Sequence, residues 1–287
     1  MTIIPSSRQE KRRNTLRFGL RLPGADLLAP AVLALVILAV VLSPLIAPYD
    51  PAEQDLLRLL EGPSVDHWFG TDIIGRDVLS RVLWGGIPPL IVGVGSVLIA
   101  LVLGTAAGVV AGYGGGVVDG VLGRLADIQM SIPGLVLALL VLAIFGAGVS
   151  NLIFIIAIES WPLHFRVVRS HVLSVRKLAY VEAAELAGHT RFQIVRRHIL
   201  PSTLPLLAVT ATVNFSHAVL AEAGLSFLGI GIQPPTADWG MMVSEGQTQL
   251  SAAWWISVFP GLALFVVLLC AQLIGDWLAQ RTSVTKE

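Results

Sequence analysis

Residues 27–47 read LLAPAVLALVILAVVLSPLIA, 21 positions without a charge. At ~1.5 Å of rise per residue, a helix of that length crosses a hydrocarbon core of ~30 Å. Inside such a core every backbone N–H and C=O must be satisfied within the fold, which leaves helices or closed barrels. Further uncharged stretches run from Val82 to Val118, Ile128 to Ile158, Ile199 to Ala221 and Gly246 to Gly275. Composition agrees, with 13% charged residues and a mean hydropathy of +0.78, against roughly 25% charged in soluble domains. The chain reads as an all-α, polytopic membrane protein. The first run leaves through SPLIAPYDP rather than a small-x-small exit, so the basic head before it is expected to stay attached.

Six crossings are expected, at about 27–47, 89–112, 121–145, 150–166, 203–230 and 254–278. The stretch from Ile128 to Ile158 is divided because GAGVSN, Gly146 to Asn151, suits a tight turn. The Lys/Arg distribution orients them. With the N-terminus in the cytoplasm, 16 of 19 basic residues fall on that face, six of them before Leu27 and seven between Arg166 and Arg197. The other three, Arg58, Arg76 and Arg81, share the outer segment 48–88 with seven acidic residues, read as a solvated charged loop. Both termini are therefore expected inside. Trp254 and Trp255 at one end of the last span and Trp277 at the other suit interfacial belts. The expected organisation is a basic cytoplasmic head 1–26, a first span with its outer segment 27–88, a core 89–278 carrying a cytoplasmic loop 171–201, and a tail 279–287.

Several chemistries are disfavoured. A net charge of zero gives no overall basic field for nucleic acid, and the single cysteine, Cys270, lies in an apolar run and builds neither a disulfide nor a thiolate metal site. His164, His171, His189, His198 and His217 lack ligand spacing with acids on one face. No G-x-x-x-x-G-K-[ST] occurs, so the chain is not expected to hydrolyse ATP, and no cofactor or catalytic residue is assigned to it. Arg124 and Asp127 read as an i,i+3 ion pair. Glu159 and Glu222 fall inside spans, where a charge is costly. Each is a candidate for a translocation path or for pairing between helices.

Residues 180–201, YVEAAELAGHTRFQIVRRHILP, interrupt this apolar background. Ala179 to Leu186 favour helix, Gly188 suits a left-handed end, and Thr190 with Gln193 forms a capping box for a second helix expected to stop at Pro201. Ala183, Ala184, Ala187 and Gly188 form a face without bulk, flanked by Glu182 and Glu185, that fits insertion into a partner's cleft. An amphipathic helix lying on the bilayer, with Arg191, Arg196 and Arg197 toward anionic headgroups, fits the composition equally.

The spacing EAA, three residues, Gly188, nine residues, HILP resembles the EAA loop of permease subunits in binding-protein-dependent ABC importers of type I fold, with His198 where the family has Ile. HWFGTDIIGRDVLSRVLWG (67–85), DGVLGRLADIQMSIPGLVLAL (119–139) and LAEAGLSFLGIGIQPPTADWGMM (220–242) are similar to the dipeptide, oligopeptide and nickel branch, and to the smaller of its two permeases. The resemblance implies that Glu182, Ala183, Ala184, Gly188, His198, Leu200 and Pro201 belong to an ATPase-coupling loop. It also implies a second permease, two ATPase subunits that bind ATP and magnesium, a soluble extracytoplasmic binding protein, and a plasma (inner) membrane location. Short peptides are the implied cargo, with nickel or metal chelates the other group. The chain departs from the branch at Gly85 to Leu90, where a basic and a hydroxyl residue are missing, and at Glu159, where a small residue or Thr is usual. An intramembrane enzyme using Glu159 or Glu222 with a histidine, or a channel working without an ATPase, is the reading of another class.

Overall fold

The computed structural model describes residues 25–284. The basic head up to residue 24 and the last three residues lie outside the described part. Among the described residues the chain is helical, apart from one isolated bridge between Thr71 and Asp77. The helices are α1 (Ala25–Val41), α2 (Ser43–Ile46), α3 (Val78–Trp84), α4 (Ile87–Gly114), α5 (Gly116–Met130), α6 (Gly134–Phe145), α7 (Val149–Val175), α8 (Ala179–Leu186), α9 (Arg191–Ile194), α10 (Leu200–Phe227), α11 (Trp239–Gln247) and α12 (Trp255–Val284). A π-helical turn, Val195–Ile199, joins α9 to α10. By length and composition four helical stretches can cross a membrane, or five if the bent pair α5–α6 is one span; α1 is apolar but shorter.

The bundle is centred on α4 and α7. Gly104, Gly108 and Gly112 recur every four residues along one face of α4, and a Cβ at each would press on His164, Val168 and Val172 of α7 at 2.5 to 2.8 Å. Small residues at that spacing let two helices approach to backbone contact, which is how apolar helices associate where lipid removes the usual hydrophobic drive. The rising register shows that α4 and α7 run parallel. α10 packs on both, and α12 packs on α10, α1 and α11.

Five sequence expectations need correction. The straight span 121–145 is broken at Ser131 to Pro133, where α5 and α6 meet at 86°. Pro133 lacks an N–H and biases Ile132 away from helix. The fourth span does not stop at 166 but runs to Val175, so residues 171–175 belong to helix rather than loop. Its extension is supported by Arg166, which donates to Asp127 on α5 at 2.6 Å, and by Arg169, which forks onto Asp119. Asp127 is thus paired across helices rather than with Arg124. Pro201, finally, does not end a helix: helical backbone runs through it from Arg191 to Phe227, with the π-helical turn Val195–Ile199 just before it. The last helix also continues to Val284, taking in 279–284 of the expected tail.

The segment 48–77 and α11 cap one end of the bundle. Asp77 accepts from the Ser80 N–H at 2.7 Å, capping α3, and pairs with His67 Nδ1 at 2.9 Å. Asp72 accepts from Arg76 Nε at 2.6 Å and Arg81 Nη1 at 2.5 Å, and Glu245 of α11 accepts from the same arginines at 3.1 and 2.7 Å. Asp72, Arg76 and Arg81 are buried. These charges therefore close on one another instead of facing solvent, against the loop expected there. Trp255 is likewise buried, its indole N–H donating to Thr71 O at 3.0 Å, while Trp254 stays half exposed.

Candidate functional site

The loop between α7 and α10 hangs at the end opposite the cap. Val181 and Ala184 of α8 bury against Val168, Val172 and Val175 of α7 and Ile194 and Ile199 beyond the bend. The Tyr113 hydroxyl, at the end of α4, donates to Glu185 Oε1 at 2.8 Å, and Arg176 Nη1 donates to Gly112 O at 2.9 Å. Two helix ends thus hold the loop. The α8 terminus closes with the His189 N–H on Ala184 O and with Gly188 at φ +83°, a conformation that favours glycine. Thr190 and Gln193 exchange the two bonds of a capping box at 3.3 and 2.9 Å.

This folding divides the expected coupling residues. Glu182, Ala183, Ala187, Gly188 and Pro201 are exposed, and a Cβ added at Gly188 meets open space. Ala184 is buried against the bundle, so it supports the loop rather than lining the free face. His198 is half-buried, 5.8 Å from the Tyr180 ring and 6.4 Å from His189, and its Nε2 is enclosed without a hydrogen-bond partner. Leu200 lies at the start of α10 at the edge of exposure. Sequence reasoning missed Leu186 and Phe192, exposed at 91% and 72%. The signal was available: two large apolar residues bracket the glycine in a polar stretch. Both are large apolar side chains left uncovered on the loop, the residue type that protein interfaces bury.

A second site is a groove of about 240 Å³ between α6, α7 and α10. Its walls include Leu135, Ala138, Ile156 and Leu220; its titratable groups are Glu159 and His217. The Glu159 carboxyl packs directly on Gly134, the first residue of α6, where the positive end of a helix favours a negative charge. His217 Nε2 stands 3.7 Å from Glu159 Oε1, beyond hydrogen-bond range. Glu159 lies ten residues into α7, and His217 ten residues from the end of α10. Both therefore sit ~15 Å in from the cap end, near the middle of a ~30 Å core.

Glu222 is elsewhere. It is fully buried near the cap end of α10, accepts from Ser226 Oγ at 2.8 Å and does not line the groove. Asp238, at the start of α11, is also fully buried and accepts from the Met241 N–H at 3.0 Å. Burial pushes the Asp238 carboxyl up, and its side chain shares a hydrogen bond with the Glu222 carboxyl. Among the described residues no three His, Cys, Asp or Glu side chains come together to hold a metal ion, and Cys270 is a buried residue of α12.

Residues 104–284 match the family model described as binding-protein-dependent transport system inner membrane component. The chain belongs to that family. This inner-membrane component is 39% identical over 232 residues to a glutathione transport system permease protein of Pectobacterium atrosepticum, covering 80% of this chain and 77% of that protein. It is also 39% identical to a dipeptide transport system permease protein of Alkalihalophilus pseudofirmus, covering 84% and 80%. A probable D,D-dipeptide transport system permease protein of Escherichia coli stands at 39%, covering 85% and 82%. Among solved structures, an inward-facing methionine ABC transporter superposes with a TM-score of 0.58 over 71% of this chain and 97% of that one, at 21% identity. That likeness concerns the fold. The family is a membrane transport component rather than a catalyst, and the helical bundle has the fold of a transporter permease.

Proposed function

We propose that this chain is one of two related permeases in an ATP-driven importer of short peptides. The 39% identity to dipeptide and glutathione permeases, sustained across four-fifths of the chain, carries this reading. The free face at Glu182, Ala183, Leu186, Ala187, Gly188 and Phe192 is read as the seat of a separate ATPase, which supplies ATP and magnesium; a soluble binding protein delivers cargo at the cap. Counting α1 and the bent pair gives six crossings in the inner membrane, with the coupling loop and both termini cytoplasmic. The bias of 16 of 19 basic residues toward that face supports this orientation. The groove at Glu159 is read as part of the translocation path, because ionisable groups at mid-depth on an open flank need water or protein against them rather than lipid. Glu222, buried against Ser226 beside α11, is assigned to holding α10 and the cap together.

The test is purification in mild detergent from the native host, with wild type and Gly188→Trp. Wild type is expected to bring down a second permease and an ATPase, and the variant to lose the ATPase while keeping the permease. A wild-type chain that comes down alone overturns the importer reading.

A further inference from the structure

Three observations converge on the groove between α6, α7 and α10. The first is its carboxylate. Glu159 is only partly covered, and among the described residues neither of its oxygens accepts a hydrogen bond. The nearest nitrogen-bearing side chain, His217, is half exposed and its Nε2 stands 3.7 Å away, beyond hydrogen-bond range. A charge held at mid-depth with spare acceptor capacity is costly unless something pairs with it.

The second is the break in the α5–α6 span. Residues 131–133 interrupt the helix beside Glu159, so the start of α6 lies against the carboxylate. Discontinuous helices whose half-helix ends meet near mid-membrane mark ligand sites in transporters. The α6 terminus lies against one side of the Glu159 carboxyl and leaves its outward acceptor positions open.

The third is the shape and lining. Apart from Glu159 and His217 the walls are aliphatic, and about 240 Å³ is below the ~300 Å³ at which whole small-ligand sites begin. It is room for one end of a small organic molecule: a cationic group on Glu159 with a side chain against Leu135, Ala138 and Leu220. A divalent transition metal would need further ligands, and two side chains 3.7 Å apart are all the groove supplies.

We propose that Glu159 is a cargo-contact residue that pairs with the primary ammonium group of the passing substrate, the free amino terminus of a short peptide. This rests on the peptide-importer reading above. The contact is transient by construction: one carboxylate, with no second acceptor, selects the ammonium and then releases it, as transport requires.

The experiment uses the whole importer, purified with its partners and reconstituted in liposomes, with ATP inside or outside as its orientation demands. Uptake of labelled L-alanyl-L-alanine, its N-acetyl derivative and nickel ion alone is measured for wild type, Glu159→Gln and Glu159→Asp. A charged hydrogen bond of this kind predicts that Glu159→Gln lowers alanyl-alanine uptake roughly tenfold or more while Glu159→Asp largely restores it. Recovery of the assembled complex is expected to be equal for all three. Any uptake of the acetylated peptide should be indifferent to the substitution. If Glu159→Gln takes up alanyl-alanine like wild type, the ammonium contact is overturned and the importer reading stands. The same holds if Glu159→Gln fails to assemble, because the carboxylate then pairs helices instead. Nickel uptake without peptide uptake in wild type would overturn both the ammonium contact and the peptide cargo on which it rests.

Discussion

The two ends of this molecule handle charge in opposite ways. At the cap, Asp72, Arg76, Arg81 and Glu245 are drawn inward and satisfy one another, and Trp239 and Trp255 bury their rings with indole N–H groups on Val82 O and Thr71 O. At the coupling loop, Glu182, Arg191, Arg196 and Arg197 stay exposed, and so do Leu186 and Phe192. At the cap the inner cluster closes within one chain, while Leu57, Val65 and Trp68 stay exposed on its outer surface. The loop is anchored by a thin apolar layer and by Tyr113 and Arg176, and its remaining surface is exposed. An element can be locally well built, with its caps and turns in place, and still be unfinished in energy terms when its apolar centre belongs to an interface.

The most disruptive way to break this contrast is Arg81→Ala. It leaves Asp72 and Glu245 with one arginine between them in a buried setting, and removal of one member of such a cluster costs about 3–5 kcal/mol. The expected outcome is a large fall in the melting temperature and yield of the purified complex. At the loop, Leu186→Ser with Phe192→Ser should barely change that melting temperature but weaken ATPase capture by at least ~2 kcal/mol, the scale of an interface hot spot. A titration of ATPase against the reconstituted permease measures it; a melting temperature that drops as far as for Arg81→Ala would erase the contrast.

Asp238→Asn sharpens the picture within the cap. Asn caps a helix as well as Asp does, so the bond to Met241 survives. Burial raises the folded-state affinity of Asp238 for a proton above its unfolded value, so the folded state binds more protons and wild-type stability falls as pH rises from the ordinary carboxylate range. The variant should therefore melt higher than wild type at pH 8, with the advantage shrinking at pH 5. A difference independent of pH would show that the carboxyl is not the cause. The smallest effect is expected at Asp127→Asn, whose partner Arg166 is about as exposed as itself, 49% against 62%. Such pairs contribute ~1 kcal/mol or less, and thermal melting should move correspondingly little.

Much of this was readable before any tertiary structure. Helix α8 spans Ala179 to Leu186 as the helix formers indicated, Gly188 takes the left-handed turn, and the Thr190–Gln193 box forms, because each depends on residues within a few positions of one another. The turn at Gly146 to Asn151 is also local: Gly146 has φ +86°, and Asn151 Nδ2 donates to Phe145 O and Gly146 O. The close-packing glycines at 104, 108 and 112 belong to the other kind, because they meet α7 some sixty residues further along the chain.

What the sequence by itself determined is the helical class, the membrane setting, the placement of the EAA segment and the local chemistry of its turns. These follow from hydropathy, spacing and propensity, which act over one or two turns of chain. Only the tertiary structure decided that Arg76 and Arg81 are buried, that Asp127 meets Arg166 rather than Arg124, that Ala184 faces the bundle, and that Glu159 lines a groove while Glu222 does not. Each of those depends on which residues far apart in the chain come together and on which side of a helix they meet. A uniformly apolar sequence leaves that choice open, because without an amphipathic stripe every face of a helix is equally suited to burial.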